Sequence, residues 1–213
     1  MTDIPTREFA AATLSVEDAA AASSRASRQL LDAAVARAIA TLAHDLRNSL
    51  GVVSMQVEAI AVRSASKTPD VAAILSHANV ASEHIERLAE MTNSLIAFAR
   101  GRTSSDLSVI VSEAAALVPL RPVSVSNPVV AAVGLDPMLT RAVALEVLML
   151  ALGSPKAPVF VVSAAETGST LAVVSGYRLE PDATLEWVVQ FQKVGGRISP
   201  TEDGLRLLFP PIS

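Results

Sequence analysis

The sequence predicts an α+β chain in two parts: an N-terminal long antiparallel helical hairpin that pairs into a dimeric four-helix bundle, and a C-terminal α/β sandwich with helices over one face of a sheet. Three observations carry this. Apolar residues recur at alternating steps of four and three through two successive segments, 27–62 and 71–99. A polar run, Gly101-Arg102-Thr103-Ser104-Ser105, then interrupts the pattern. Beyond it, helical periods alternate with short β-branched runs bounded by Pro and Gly. The implied division is a mobile tail over 1–26, the hairpin over 27–101, a linker over 102–105 and the sandwich over 106–213. With 51% apolar residues but only 3% aromatic ones, the chain is expected to pack helices through Ala, Val and Leu and to keep an oligomeric surface.

The tail mixes Ala, Ser, Thr and acidic residues, with Pro5 and a possible helix cap at Ser15. In the first helix Val35, Ile39, Leu42, Leu46, Ser49, Val53, Gln56/Val57 and Ile60 keep the heptad spacing until 64–70, where polar residues and Pro69 end it. Thr68 is the expected cap of the second helix, with Pro69 in its first turn. There Val71, Ile74, Ala78, Ala81, Ile85, Leu88, Thr92, Leu95 and Ala99 continue the spacing as far as Gly101. His77 and His84, about 10.5 Å apart along the axis, are too distant to share an ion and read as surface polar residues. One hairpin cannot cover both of its apolar stripes, and each Leu, Ile or Val left wet forfeits about 1.5–3 kcal/mol. Two hairpins paired as a homodimer remove that cost.

In the second part Asp106 is placed to cap a helix over 109–118, followed by a strand at Val123–Ser126 and a short apolar segment at 129–133. Asp136-Pro137 opens a helix ending near Gly153. Pro158–Ala164 and Leu171–Ser175 read as strands joined by a turn at 166–169. A helix from Pro181 to Val194, with Trp187 and Phe191 on one face, precedes Gly195-Gly196 and a hairpin, Arg197–Ser199 and Leu205–Phe209, around Glu202-Asp203-Gly204.

The chemistry-bearing residues sit on the first helix. His44 is two residues from both Leu42 and Leu46, roughly 200° around the axis, so it points away from the seam. Asn48 follows one turn later on the same face, and Asp45 is the immediate neighbour. A neutral imidazole keeps one ring nitrogen with a free lone pair. Asp45 could accept a hydrogen bond from the other nitrogen and stabilise positive charge while the first attacks an electrophile, phosphorus being the expected one. Asn48 could hold a water or a phosphoryl oxygen.

The run His44-Asp45-Leu46-Arg47-Asn48-Ser49-Leu50 resembles the H-box of two-component sensor histidine kinases, with Ser49 where that family usually has proline. The resemblance implies that His44 accepts the phosphoryl group, Asp45 is its acid/base partner and Asn48 orients water in phosphatase activity. Residues 106–213 are similar in element order to the catalytic ATP-binding domain of the same family. That domain requires an Asn-rich helix for Mg²⁺ and phosphates, an Asp-x-Gly-x-Gly loop for adenine and a glycine-rich lid. Here the helix has Glu146 and Leu150 at the asparagine positions, and a leucine cannot ligate magnesium. The adenine loop reads Val173-Val174-Ser175-Gly176-Tyr177 without an aspartate, and the chain leaves no room for a lid.

The layout is similar to that of the ChpT-like histidine phosphotransferases, which join a dimeric helical hairpin to a degenerate ATPase-like domain. This resemblance implies a phosphorelay protein that passes phosphoryl groups between the aspartates of response-regulator receiver domains through His44, with a hybrid histidine kinase as a further partner; the lack of a membrane-length apolar run and of a signal-peptide pattern predicts a cytoplasmic one. The resemblance implies no cofactor held by this chain, with Mg²⁺ supplied by the receiver. Two other readings stay open: a response-regulator phosphatase acting through Asn48, and a non-catalytic pseudokinase adaptor that binds a kinase or receiver. The absence of cysteine excludes disulfides and thiolate metal sites, and a net charge of -4 gives no basic footprint for nucleic acid. No apolar run reaches the 18 or so residues of a membrane span, Glu146 breaking the most apolar stretch, and the start of the chain lacks a signal-peptide pattern.

Overall fold

The first heptad helix is longer than its sequence signal. In a computed structural model, which describes residues 16–100, 106–118, 123–126, 131–154, 156–165, 168–176 and 178–211, α1 runs from Val16 to Ser64 without a break. It thus starts inside the segment expected to be tail, at the residue after the expected cap Ser15; residues 1–15 lie outside the described ones. Its 49 residues span about 74 Å. Ser49 in place of a proline keeps its N–H, and the helix passes through it uninterrupted.

The second helix, α2 (Val71–Ala99), is capped by Asp70 rather than Thr68: its carboxylate accepts from the Ala73 N–H at 3.0 Å. A carboxylate reaches that donor better than the hydroxyl two residues upstream, and Pro69 falls before the cap instead of in the first turn. The hairpin seam keeps Leu42, Ser49, Gln56, Ile74, Ala81, Leu88 and Leu95 of the stripe the sequence suggests and shifts by one residue at the positions between them. The less exposed positions of α1 step through Ala38, Leu42, Asp45, Ser49, Val52 and Gln56, and those of α2 through Ile74, His77, Ala81, His84, Leu88, Met91, Leu95 and Phe98. Gln56 Oε1 accepts a hydrogen bond from His77 Nδ1 at 2.5 Å, so His77 is a seam residue, not a surface one, and His84 is likewise half-buried. A second apolar row stays open: Ile39, Leu50 and Val57 of α1 and Val71, Leu75, Ile85 and Ile96 of α2 are exposed.

Past the linker, whose residues 101–105 lie outside the described ones, Asp106 caps α3 (Leu107–Ala115) as expected. It accepts from the Ser108 N–H and hydroxyl, both at 2.9 Å, and from the Ala131 N–H at 3.3 Å. Burial would raise its pKa, but these hydrogen bonds outweigh it and hold the carboxyl below its ordinary value. The helix stops at Ala115, short of the expected Val118, with Leu117 and Val118 in a closing turn. The strand β1 (Ser124–Ser126) precedes α4 (Pro137–Leu152), which Asp136 caps through the Met138 N–H at 3.0 Å. Pro119, Pro122 and Val129 lie outside the described residues.

Strands β2 (Val159–Ala165) and β3 (Gly168–Val174) form the expected antiparallel pair; Glu166 and Thr167 of its turn are outside the described residues. Helix α5 (Glu186–Lys193) starts later than Pro181, because Asp182 binds the Thr184 N–H and hydroxyl, each at 2.8 Å, and ties that stretch into a turn. Trp187 and Phe191 are buried on its inner face. The closing hairpin is β4 (Arg197–Thr201) with β5 (Gly204–Phe209).

The sheet order is β1-β2-β3-β5-β4, with β1 parallel to β2 and the other neighbours antiparallel. Phe160, Val162, Leu171, Val173, Leu205, Leu207 and Phe209 point into the core below the helices, and the opposite face, with Val174 and Arg206, is open. Gly204 is fixed by close approach: a Cβ there would lie 1.7 Å from the Val173 carbonyl oxygen.

Helix α4 explains the extra length of α1. All its residues from Leu139 to Leu148 except Glu146 are buried, and a helix apolar on every side must be covered on every side. The sheet, α3 and α5 cover part of it; the N-terminal half of α1 covers more, burying Leu30, Leu31, Ala34 and Ala38. One core cluster therefore runs from Leu30 to Phe209. Among the described residues no helix is long and apolar enough to cross a membrane.

Candidate functional site around His44

His44 stands on the side of α1 away from both apolar rows, with 73% of its side chain exposed. The helix supplies the placement. Positions 44 and 48 are one turn apart, and their side chains meet: Asn48 Nδ2 lies 3.1 Å from His44 Nδ1. In this arrangement the amide donates to Nδ1 and the ring carries its proton on Nε2. Turning the amide over presents Oδ1 to an Nδ1–H instead, and leaves the outward Nε2 with a free lone pair. The amide rotamer thus matches one ring tautomer or the other: with the ring proton exchanged through solvent from Nε2 to Nδ1, the turned amide holds it there and Nε2 is the nucleophile.

Asp45 takes a different position. Its side chain is only 16% exposed, on the row that faces α2, and its Oδ1 is 3.7 Å from the same Nδ1. That is beyond hydrogen-bond length but close enough to stabilise an imidazolium. The structure therefore brings the three residues singled out from the sequence into one cluster, in which the side chain in hydrogen-bond reach of the ring is Asn48.

Two further residues belong to the neighbourhood. Arg37 is two turns before His44, and its Nε donates to Glu146 Oε1 of α4 at 2.8 Å. With the Glu146 side chain 11% exposed, this is a nearly buried carboxylate held by a cation from the other half of the chain. A lone glutamate in an otherwise apolar helix was the available signal, since a buried charge demands a partner. Which arginine would supply it was not legible without the register of α1 on α4.

Glu146 is engaged by Arg37, and Leu150 offers no donor. At the loop after β3, the side chain of Lys156 lies over Gly176, within 2.6 Å of where a Cβ would stand, and Ser175 accepts from the Ser154 hydroxyl through its carbonyl at 2.8 Å. Tyr177 is outside the described residues. Among the described residues no three His, Asp or Glu side chains gather into a cation site.

No family model matches the chain, and none of the curated proteins does. Among solved structures it is similar to the histidine kinase AdeS of Acinetobacter baumannii, with 12% identity over 80% of this chain and 98% of that one at a TM-score of 0.42. It is also similar to a bacterial phosphotransferase, with 15% identity over 92% of this chain and 97% of that one, again at a TM-score of 0.42.

Proposed function

We propose that this protein is a histidine phosphotransferase of a two-component phosphorelay, carrying phosphoryl groups between receiver-domain aspartates on His44. The observation that carries the reading is an exposed imidazole on a rigid helix, with an amide 3.1 Å from its inner nitrogen and a carboxylate 3.7 Å away. The Nε2 lone pair attacks phosphorus in line; the bond from phosphorus to the aspartyl oxygen breaks and the partner's carboxylate leaves. The Nδ1 proton stays on the ring, held by the Asn48 oxygen, while Asp45 balances the imidazolium charge. The return step runs the same bonds in reverse onto a second receiver. Magnesium comes with the receiver, and ATP is not used, in line with an engaged Glu146 and a donor-less Leu150. The working form is a homodimer joined through the open apolar row of Ile39, Leu50 and Val57 with Val71, Leu75, Ile85 and Ile96, which leaves both His44 residues wet.

The test is transfer of ³²P from an acetyl-phosphate-charged receiver domain. Wild type acquires acid-labile, alkali-stable label and His44→Gln does not; an unlabelled wild type, or label that survives His44→Gln, refutes the proposal. The same exposed Asn48 amide favours a second reading, hydrolysis of the partner's acyl phosphate by a water bound there. Under that reading the receiver loses phosphate without label appearing on this chain, and Asn48→Ala stops the loss.

A further inference from the structure

Arg37 and His44 are seven residues apart on α1, within roughly 20° of the same bearing and about 10.5 Å apart along the axis. Arg37 reaches Glu146 from the edge of the contact between α1 and α4, whose buried residues centre roughly 90° round the helix from His44, so the sheet-bearing half flanks the bearing of His44 and its latch stands two turns before it. Below Arg37 the contact is apolar, with Leu30, Leu31, Ala34 and Ala38 buried. A second joint lies where α2 ends. The Arg141 guanidinium of α4 stands 5.3 Å from the centre of the Phe98 ring of α2 and donates to Glu113 of α3 at 2.6 Å. Two joints, on α1 and on α2, flank the point where the chain passes from one half to the other. A body held at two separate points cannot swing about the linker.

We infer that the N-terminal half of α1 is an internal strap, with the Arg37–Glu146 pair as its latch, that holds the sheet-bearing half at one angle beside His44. The inference deepens the proposed function and rests on it in one respect only: the notch between α1 and the strapped half is where a protein domain bearing an aspartyl phosphate enters. Arg37 is a positioning residue in this scheme. Its side chain is 54% exposed, so it also lends a positive corner to a partner whose reacting group is anionic.

The chain has no cysteine, so one introduced pair labels uniquely. Spin labels at Ser54→Cys on α1 and Ser199→Cys on β4, both exposed positions, report the separation of the halves in the full-length protein when the labelled chain is unfolded and refolded with an excess of unlabelled chain, so that a dimer carries one labelled copy. The expected result is one narrow distance distribution in the parent, a broadened or longer one in Arg37→Glu, where two carboxylates face each other, and recovery in the charge-swapped Arg37→Glu/Glu146→Arg. Arg37→Gln guards against misfolding: it is expected to keep the parent thermal transition and broaden the distances less. Distances unchanged in Arg37→Glu, or still broad after the swap, overturn the strap.

Transfer from the charged receiver is read on the same variants. Arg37→Glu raises KM at least about fivefold with kcat little altered, a coupling of the usual size between linked sites. The swap returns KM to within about twofold of the parent. An unchanged KM in a variant whose distances have broadened removes the strap's role in docking. A parent that takes up no phosphate defeats the proposed function instead, while the distances still decide the strap.

Discussion

Arg141 and Glu113 form a pair in which the two partners should not cost the same to remove. The arginine side chain is 0% exposed and the glutamate 26%, with the guanidinium Nη1 donating to Glu113 Oε2 at 2.6 Å. A cleft of about 180 Å³ lined by Ser94, Ala97, Phe98, Glu113 and Ala116 opens beside the carboxylate and keeps it within reach of water. Glu113→Ala removes the carboxylate to which this buried guanidinium donates, and breaking such a pair costs about 3–5 kcal/mol. The Phe98 ring keeps its contact with the guanidinium in the variant and so cancels in the difference, and with the pair half open to the cleft the low end of the range, about 3 kcal/mol, is expected. Arg141→Met does the opposite: the freed carboxylate rehydrates through the cleft and the thioether packs on Phe98, for a net loss of about 1 kcal/mol. At about 2–4 °C per kcal/mol for a chain of this size, the thermal midpoints should fall by about 6–12 °C and about 2–4 °C. Urea unfolding followed by the fluorescence of the single tryptophan, buried Trp187, measures both. Equal costs, or a costlier Arg141→Met, would refute the reasoning from burial.

The remaining expectations use other parts of the chain. Asp106 has a lowered folded-state pKa, so its contribution is complete above the ordinary carboxylate value of 3.8 and is lost as pH falls through the lower folded value. Asp106→Ala is therefore expected to cost about 1 kcal/mol at pH 7, with the gap to wild type closing below pH 3.8 in acid titrations of stability. Two glycines should respond with opposite signs to the same change. Gly204→Ala drives a methyl into the Val173 carbonyl and loses about 1–3 kcal/mol or more, whereas Gly51→Ala meets nothing within 4 Å inside a helix and gains about 0.5–1 kcal/mol. Leu50→Glu with Val57→Glu, both on the open apolar row, should turn a sedimenting dimer into a monomer without shifting the far-UV spectrum. A wild type that sediments as one chain contradicts the paired bundle.

The parts of the fold legible in the sequence are those in which one local rule settles the outcome. Asp106 and Asp136 lie directly before apolar helical periods, and both cap as read. The β2–β3 hairpin follows from β-branched runs broken by turn residues, and β4–β5 from two short segments on either side of Glu202-Asp203-Gly204. The misreadings arise where two local rules compete. Thr68 and Asp70 are both good caps, and the stronger acceptor took the N–H of Ala73. Asp182 could sit inside a helix or tie a turn, and it ties Thr184. On α1 the stripe was read in place at Leu42, Ser49 and Gln56 and slipped by one residue at the positions between, because rows beginning at Ala38 and at Ile39 are both apolar and only the partner helix chooses between them. The exposure of His44 survives that ambiguity, since it lies far from both rows. Its closest side-chain partner does not, because Asn48 and Asp45 are equally near in sequence and only the rotamers set one at 3.1 Å and the other at 3.7 Å.

What a partner can reach on α1 follows from the bearings of its rows. Taking the row of Ala38, Leu42, Ser49 and Gln56 as zero, the row of Ile39, Leu46, Leu50 and Val57 lies roughly 100° on, and His44 roughly 240° on. The midpoint of the two apolar rows is near 50°, so His44 faces almost directly away from whatever both rows bury. Neither the α2 seam nor a second copy on the open row can shade it. Arg37, at roughly 260°, is the residue on that side already committed to another part of the chain, and its commitment ends at Glu146, two turns away. Moving the latch one turn toward His44 would bring α4 alongside the imidazole and narrow the approach to it. Moving it one turn away would leave the imidazole on a bare helix with no second surface to orient a partner. Where the strap stops therefore sets both how open His44 is and what an incoming domain touches beside it.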